Sequence, residues 1–283
     1  MKKKVVVTFV LVVLLASLVV GCSGGKGSKV SDQSQGESQN VSSKKKVLKV
    51  GATAGPFAKI LERVKPVLAK KGVKLEIVTF TDYVTPNLAL AEGEIDANTF
   101  QHIPYFDSFK ENRGLDLTTV GKTIIIPMAI YSNKYKSLNQ LPKGGTVAIP
   151  NDPTNGGRAL LLFDKAGVFK LKEGAGINAT VDDIVDNPKN ITIHEVDAAQ
   201  TARVLPDVDA AAVNSNYALE LDMNPKKDSI FIEDANSPYV CIVAVRTEDK
   251  GNPVIKKFID AYQSEEVRQF INEEFNGSVI PAF

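Results

Sequence analysis

Asp96-Ala97-Asn98-Thr99-Phe100-Gln101-His102-Ile103-Pro104-Tyr105-Phe106-Asp107 is the stretch on which the reading of this chain turns. A small apolar run ends in Phe100. His102 follows two residues on, and Tyr105 three beyond that. Pro104 suits the start of a helix, because its fixed φ is already helical and its missing N–H has no partner there anyway. The segment reads as a strand end running into a helix, with Phe100, His102 and Tyr105 displayed at the turn. In open α/β sheets small ligands sit at the carboxyl ends of strands. The chain has no Trp, so an aromatic wall must come from Phe, Tyr and His.

The same alternation extends both ways. Upstream, Val47–Val50 is a strand, Gly51–Gly55 a small-residue turn, and Pro56 opens a helix with apolar Phe57, Ile60, Leu61, Val64, Val67 and Leu68. Pro66 should kink that helix and Gly72 should end it. Leu75–Phe80 is a second strand, Tyr83 lies in the turn after it, and Pro86 begins a helix. Downstream, Thr123–Tyr131 is one long extended run with Pro127 in its middle, read as a crossing between two lobes. Thr146–Ile149 is a strand feeding a Gly-rich turn, Pro150 to Arg158, and the apolar helix Ala159–Ala166. Thr180–Asp183 has capping-box form. Ile191–Val196 is a strand, Ala198–Leu205 a helix, and Ala210–Val213 a strand ending in Asn214. Tyr239–Arg246 is a candidate return crossing, and Pro253–Phe275 one terminal helix. Strands alternating with helices imply α/β lobes. Two crossings framing residues 131–239 imply a split first lobe with the second inserted in it, and the cleft between them is the default ligand site.

The chain begins with Lys2-Lys3-Lys4, then sixteen residues, Val5 to Val20, that are almost unbroken Val and Leu. That is short of the ~20 residues of a spanning helix. A basic head, an apolar middle and a small-residue exit form a secretory signal over residues 1–21. Its exit, Val19-Val20-Gly21-Cys22, resembles a bacterial lipobox, which implies lipid on the Cys22 thiol and a membrane anchor. From Ser23 to Lys46 the chain is rich in Ser, Gly, Gln, Asn and Lys and has no aromatic residue, so residues 22–46 read as a lipidated flexible tether. As a coil it spans roughly 25–30 Å. With Cys22 lipidated, Cys241 has no disulfide partner. Loss of the three leading lysines takes the formal charge from +1 to −2, which gives no sign of a polyanion-binding surface, and no nucleic-acid partner is expected.

Few motifs carry chemistry. Gly21-Cys22-Ser23-Gly24-Gly25 has the spacing of a nucleophile elbow but lies in the processing site. Gly174–Ala179 matches a loosened dinucleotide fingerprint after a poor strand. His102 and His194 are the only histidines, and neither has ligands at metal spacing, so no metal and no cofactor is expected. His194, on a strand, reads as structural. Arg158, near a helix start, can take a carboxylate with two parallel bonds, or pair with Asp152 or another acid at the surface. Asn214 can hold an amino-acid head group or cap the helix after it. Cys241 as an enzyme nucleophile would need a base or a lowered pKa.

Three segments, Asp82–Asn87, Ala97–Tyr105 and Ile149–Leu160, together resemble the NlpA/MetQ family of lipoproteins, and the resemblance runs from Val47 to Phe283. It implies the two-lobed, type II-like fold of periplasmic binding proteins, with two crossover strands as the hinge. The lobe boundaries expected are 47–126 and 240–283 for lobe 1 and 127–239 for lobe 2. The function implied is that of a non-enzymatic binding protein that delivers methionine to an ABC permease and its ATPase. In that reading Tyr83, Phe100, His102 and Tyr105 surround the thioether, Arg158 holds the carboxylate and Asn214 the head group. One position departs from the family, which usually has an Asn where Cys241 stands. A thiol is a weak donor and acceptor. That leaves L-methionine, D-methionine, a methionine-containing dipeptide or a related amino acid as ligands. A Cys-dependent enzyme and a surface-binding lipoprotein are the remaining alternatives.

Overall fold

The computed structural model describes residues 46–234 and 237–283. The signal segment, Cys22 and all of the tether except Lys46 lie outside the described residues. Lys46 already belongs to the first strand.

The chain runs β1 (Lys46–Thr53), α1 (Pro56–Lys70), β2 (Val73–Phe80), α2 (Thr85–Ala91), β3 (Ala97–Asn98), α3 (Ile103–Arg113), β4 (Leu117–Ile125) and β5 (Ala129–Tyr131). It continues with β6 (Thr146–Pro150), α4 (Pro153–Lys165), β7 (Lys170–Leu171), β8 (Ile184–Asp186), β9 (Thr192–Val196), β10 (Ala210–Val213) and α5 (Ser215–Glu220). The last elements are β11 (Phe231–Ile232), β12 (Val240–Arg246), α6 (Pro253–Tyr262), α7 (Glu265–Phe275) and β13 (Ile280–Pro281). Two main sheets result. One has the order β13-β4-β12-β3-β1-β2 and the other β11-β5-β10-β6-β9. β1, β2 and β3 are parallel, and β12 returns antiparallel between β3 and β4. In the second sheet β10, β6 and β9 are parallel, with β5 and β11 antiparallel at one edge. These are two α/β lobes, each with its own buried core.

The period-2 rule of strands sorts β12 between two layers. Cys241, Val243 and Val245 pack with α1 and α6 side chains such as Ile60, Leu61 and Phe258. Ile242 and Ala244 face the opposite layer, with Leu90, Ile95 and Phe106. α1 buries the expected face, Phe57 through Leu68 at helical spacing. It runs on through Pro66 as one helix, because Pro66 lies on the exposed side, where the freed carbonyl of Glu62 reaches water.

Other elements differ from the sequence reading. The crossing is not one extended run: β4 stops at Ile125, β5 starts at Ala129, and Ile126-Pro127-Met128 between them is irregular. The return run expected at Tyr239–Arg246 does form a strand, β12, Val240–Arg246. The terminal helix is two, because Ser264 accepts from Val267 N and caps a new start with Glu265 and Glu266 in its first turn. Ala198–Leu205 keeps only a 3₁₀ turn, Ala198–Gln200, since Pro206 turns the preceding residue away from helix. The Gly-rich turn before Ala159 is itself helix, α4 starting at Pro153. A Cβ on Gly157 would come within 2.4 Å of the Ile177 carbonyl oxygen, so glycine here admits a neighbouring backbone.

Candidate ligand cleft

Five strands deliver side chains from their carboxyl ends into one cavity of about 360 Å³. β1 leads to Phe57, β2 to Tyr83, β3 to Phe100 and His102, β6 to Asn155 and Arg158, and β10 to Asn214. Tyr105, Cys241 and Ile126 complete the wall. All seven residues expected at a ligand site line this one cavity. His194 is exposed on β9, away from it.

The β3–α3 turn is held by a buried amide network. Gln101 exchanges bonds with Asn87 (2.7 and 2.8 Å), and Asn98 donates to Asn87 Oδ1 (2.8 Å) and to the Pro86 carbonyl (3.2 Å). A fully satisfied buried network fixes its backbone, here the turn that presents Phe100 and His102. Pro104 lies in the first turn of α3, with His102 as its N-cap. Around Tyr83 the rings gather: Phe100 and Tyr105 at 5.8 Å and Tyr217 at 5.0 Å between centroids. The Tyr105 hydroxyl donates to the Tyr83 carbonyl (2.9 Å).

His102 links this aromatic group to the polar side. Its Nδ1 accepts from Tyr105 N (3.1 Å), so the proton is on Nε2, which faces Asn155 Oδ1 at 3.1 Å. Burial, and then the positive charge of Arg158, push its pKa from 6.5 down to about 3. The folded state thus binds its proton far below pH 6.5, where the unfolded chain takes one up. This contribution to stability is complete above pH 6.5 and is lost as pH falls toward 3. The expected NMR result is that the His102 ring protons show no titration step between pH 5 and 8. A step near 6.5 would place the ring in solvent.

Asn155 was not singled out from sequence, and it is the hub. Its Oδ1 also accepts from Asn214 Nδ2 (2.8 Å), and its Nδ2 donates to both oxygens of Asp152, the N-cap of α4. Asn214 makes no side-chain cap to α5; it bonds Asn155 instead. Across the cleft Tyr83 donates to Asn216 Oδ1 (2.6 Å). Asn214 Oδ1 and Asn216 Nδ2 are buried and have no partner among the described residues.

Arg158 is only 4% exposed, in the second turn of α4, so the surface reading fails. It does pair with an acid, but with Glu233, 75 residues on, rather than Asp152. Nε and Nη2 take the two carboxylate oxygens, Nη2 also donates to the Ile126 carbonyl (3.0 Å), and the guanidinium lies 4.1 Å over the Tyr239 ring. Nη1 donates to no described residue. Cys241 bridges His102 in the backbone, and burial pushes its thiol up to about 12. No cluster of metal ligands occurs among the described residues, and no helix among them is long and apolar enough to cross a membrane.

Known proteins resemble this chain throughout its described part. Residues 48–283 match the NlpA lipoprotein family. The D-methionine-binding lipoprotein MetQ of Salmonella typhimurium is 48% identical over 236 residues, covering 82% of this chain and 87% of that protein. The structure of a nutrient-binding protein from Burkholderia cenocepacia bound to methionine is 50% identical and superposes with a TM-score of 0.82, covering 83% of this chain and all of that one. The crystal structure of a methionine-binding protein, MetQ, is 46% identical with a TM-score of 0.82, over 84% and 98% of the two chains.

Proposed function

The chain belongs to the NlpA lipoprotein family, and on that premise we propose that it is the methionine-binding component of an ABC importer, anchored by lipid on Cys22 at the extracytoplasmic face of the cell membrane. Its role is substrate binding. The permease and its ATPase are the partners this role requires. The observation that carries the ligand assignment is one cavity with a buried guanidinium, two partnerless amide atoms and a ring-lined wall. A guanidinium takes a carboxylate, a free amide oxygen takes an ammonium, and aromatic edges favour a thioether by roughly 0.3–1.5 kcal/mol per contact.

In this reading Arg158 Nη1 meets the carboxylate, Asn214 Oδ1 the ammonium, and Tyr83, Phe100 and Tyr105 the tail. His102 stays neutral and orders Asn155 between the lobes. Cys241 is a small, weakly polar part of the wall. Isothermal titration of the mature domain, stripped of ligand, is expected to show one-to-one binding of L-methionine. Weaker or equal binding of D-methionine and Gly-Met sets the specificity, and silence for all three rejects the methionine class.

The enzyme alternative lacks its activated nucleophile. Both His102 ring nitrogens are committed, to Tyr105 N and to Asn155 Oδ1. A thiol pushed up to about 12 stays protonated. This supports a binder over a Cys-dependent catalyst. A surface-binding lipoprotein without transport would not need a closed cavity of this polarity.

A further inference from the structure

Among the residues lining the cavity, Arg158 is the only one with a fixed formal charge. Glu233 stands behind it, outside the lining. Its side chain is 16% exposed, and both of its oxygens are on the guanidinium. It is also fixed to the crossing, since its Oε2 accepts from Met128 N (3.1 Å) and its own N donates to the Met128 carbonyl (3.0 Å). The other acid at this end, Asp152, spends its oxygens on Asn155 and Thr154.

We propose that Glu233 is a specificity-determining residue that acts through Arg158: it cancels the guanidinium charge from behind, so that the closed cavity selects ligands of zero net charge over anions. This rests on the proposed methionine site and deepens it. An amino acid carries its own ammonium into the cavity, and the atoms placed to receive it are neutral amides such as Asn214 Oδ1. At short range in a low-dielectric site, an uncancelled guanidinium would repel that ammonium. It would at the same time favour an acid that lacks one. With the Glu233 carboxylate on Nε and Nη2, Nη1 can still donate to a ligand carboxylate, while the net field over the cavity is small.

The test compares two ligands that share the thioether tail and the carboxylate: L-methionine, net neutral, and 4-methylthio-2-hydroxybutanoate, net anionic. Both are titrated into wild-type protein, Glu233→Gln and Glu233→Asp. In Glu233→Gln the affinity ratio is expected to move about tenfold toward the hydroxy acid. Glu233→Asp keeps the charge and is expected to keep the wild-type ratio, even where both affinities fall. A ratio that moves less than threefold in Glu233→Gln, with both ligands weakened alike, overturns the proposal and leaves Glu233 as packing for Arg158. If Glu233→Gln does not fold, Glu233→Ala, which admits water beside the guanidinium, is read by the same ratio. Failure of wild-type protein to bind methionine at all is a different result, and rejects the functional reading instead.

Discussion

Replacing Arg158 with Ala is expected to weaken methionine binding by about 2–4 kcal/mol and to lower the melting temperature of the free protein as well. The first effect is loss of the charge-assisted bond that Nη1 offers. The lower bound corresponds to roughly a thirtyfold rise in Kd. The second effect has a separate cause. Glu233 accepts from Nε and Nη2, and without them its carboxylate is left largely buried with only Met128 N as a partner. Breaking a buried pair from one side destabilises by about 3–5 kcal/mol, discounted here because Glu233 is partly exposed. The two effects separate in Arg158→Ala/Glu233→Ala. That double variant is expected to recover most of the melting temperature and none of the affinity. Calorimetric titration and thermal unfolding of the single and double variants read both. An unchanged Kd in Arg158→Ala would show that the carboxylate is held elsewhere.

That pair also marks where sequence reading runs out. Arg158 was legible as a candidate, because an Arg after Pro153-Thr154-Asn155-Gly156-Gly157 near a helix start can take an anion or a surface acid, and the family resemblance implied the carboxylate. Its partner was not, because nothing local joins Glu233 to α4 across 75 residues; the pairing of β11 with β5, continued by the Glu233–Met128 bonds, places it there. The turn after β3 was legible from Pro104 and from the concentration of rings, and the structure seats His102 and Tyr105 in that turn. Asn87, Asn98 and Gln101 in the same motifs hold the turn through side-chain amides, which from sequence look the same as polar surface residues. Asn216, inside α5, carries no local signal of its role, which is to accept from the Tyr83 hydroxyl on the other lobe. The break at Ile126–Met128 was hidden by an apolar run with the hydropathy of one strand. Its signal was Pro127, which cannot donate to a ladder. Ser215 Oγ instead donates to the Pro127 carbonyl, fixing the crossing to the start of α5.

Asn155 carries the second large effect. Its Oδ1 faces His102 Nε2 from the first lobe and Asn214 Nδ2 from the second, while its Nδ2 and its backbone N satisfy Asp152. One amide therefore joins the lobes, orients the Asn214 amide so that its free oxygen stays in the cavity, and quenches a buried carboxyl whose pKa burial already raises. Asn155→Ala leaves three polar groups short of a partner at once: the imidazole N–H, the Asn214 amide and part of Asp152. Each orphaned buried group costs about 1–3 kcal/mol. Only the first is lost specifically from the closed arrangement, since Asn214 and Asp152 belong to the same lobe as Asn155. The expected change in affinity is therefore about 2 kcal/mol, roughly thirtyfold in Kd. The bonds to Asn214 and Asp152 are lost from the free protein as well, so its melting temperature is expected to fall too. Asn155→Asp separates geometry from charge. It keeps an acceptor for His102 but sets a second carboxyl against Asp152, so its binding is expected to recover as pH falls and one of the pair takes up a proton. Small-angle scattering with saturating ligand supplies the structural readout, because a variant that binds without closing keeps a larger radius of gyration than wild type. If Asn155→Ala binds as tightly and closes as fully as the parent, the lobes are latched by contacts such as Tyr83 to Asn216 and Tyr217 to the Thr81 carbonyl, and Asn155 is only the cap partner of α4.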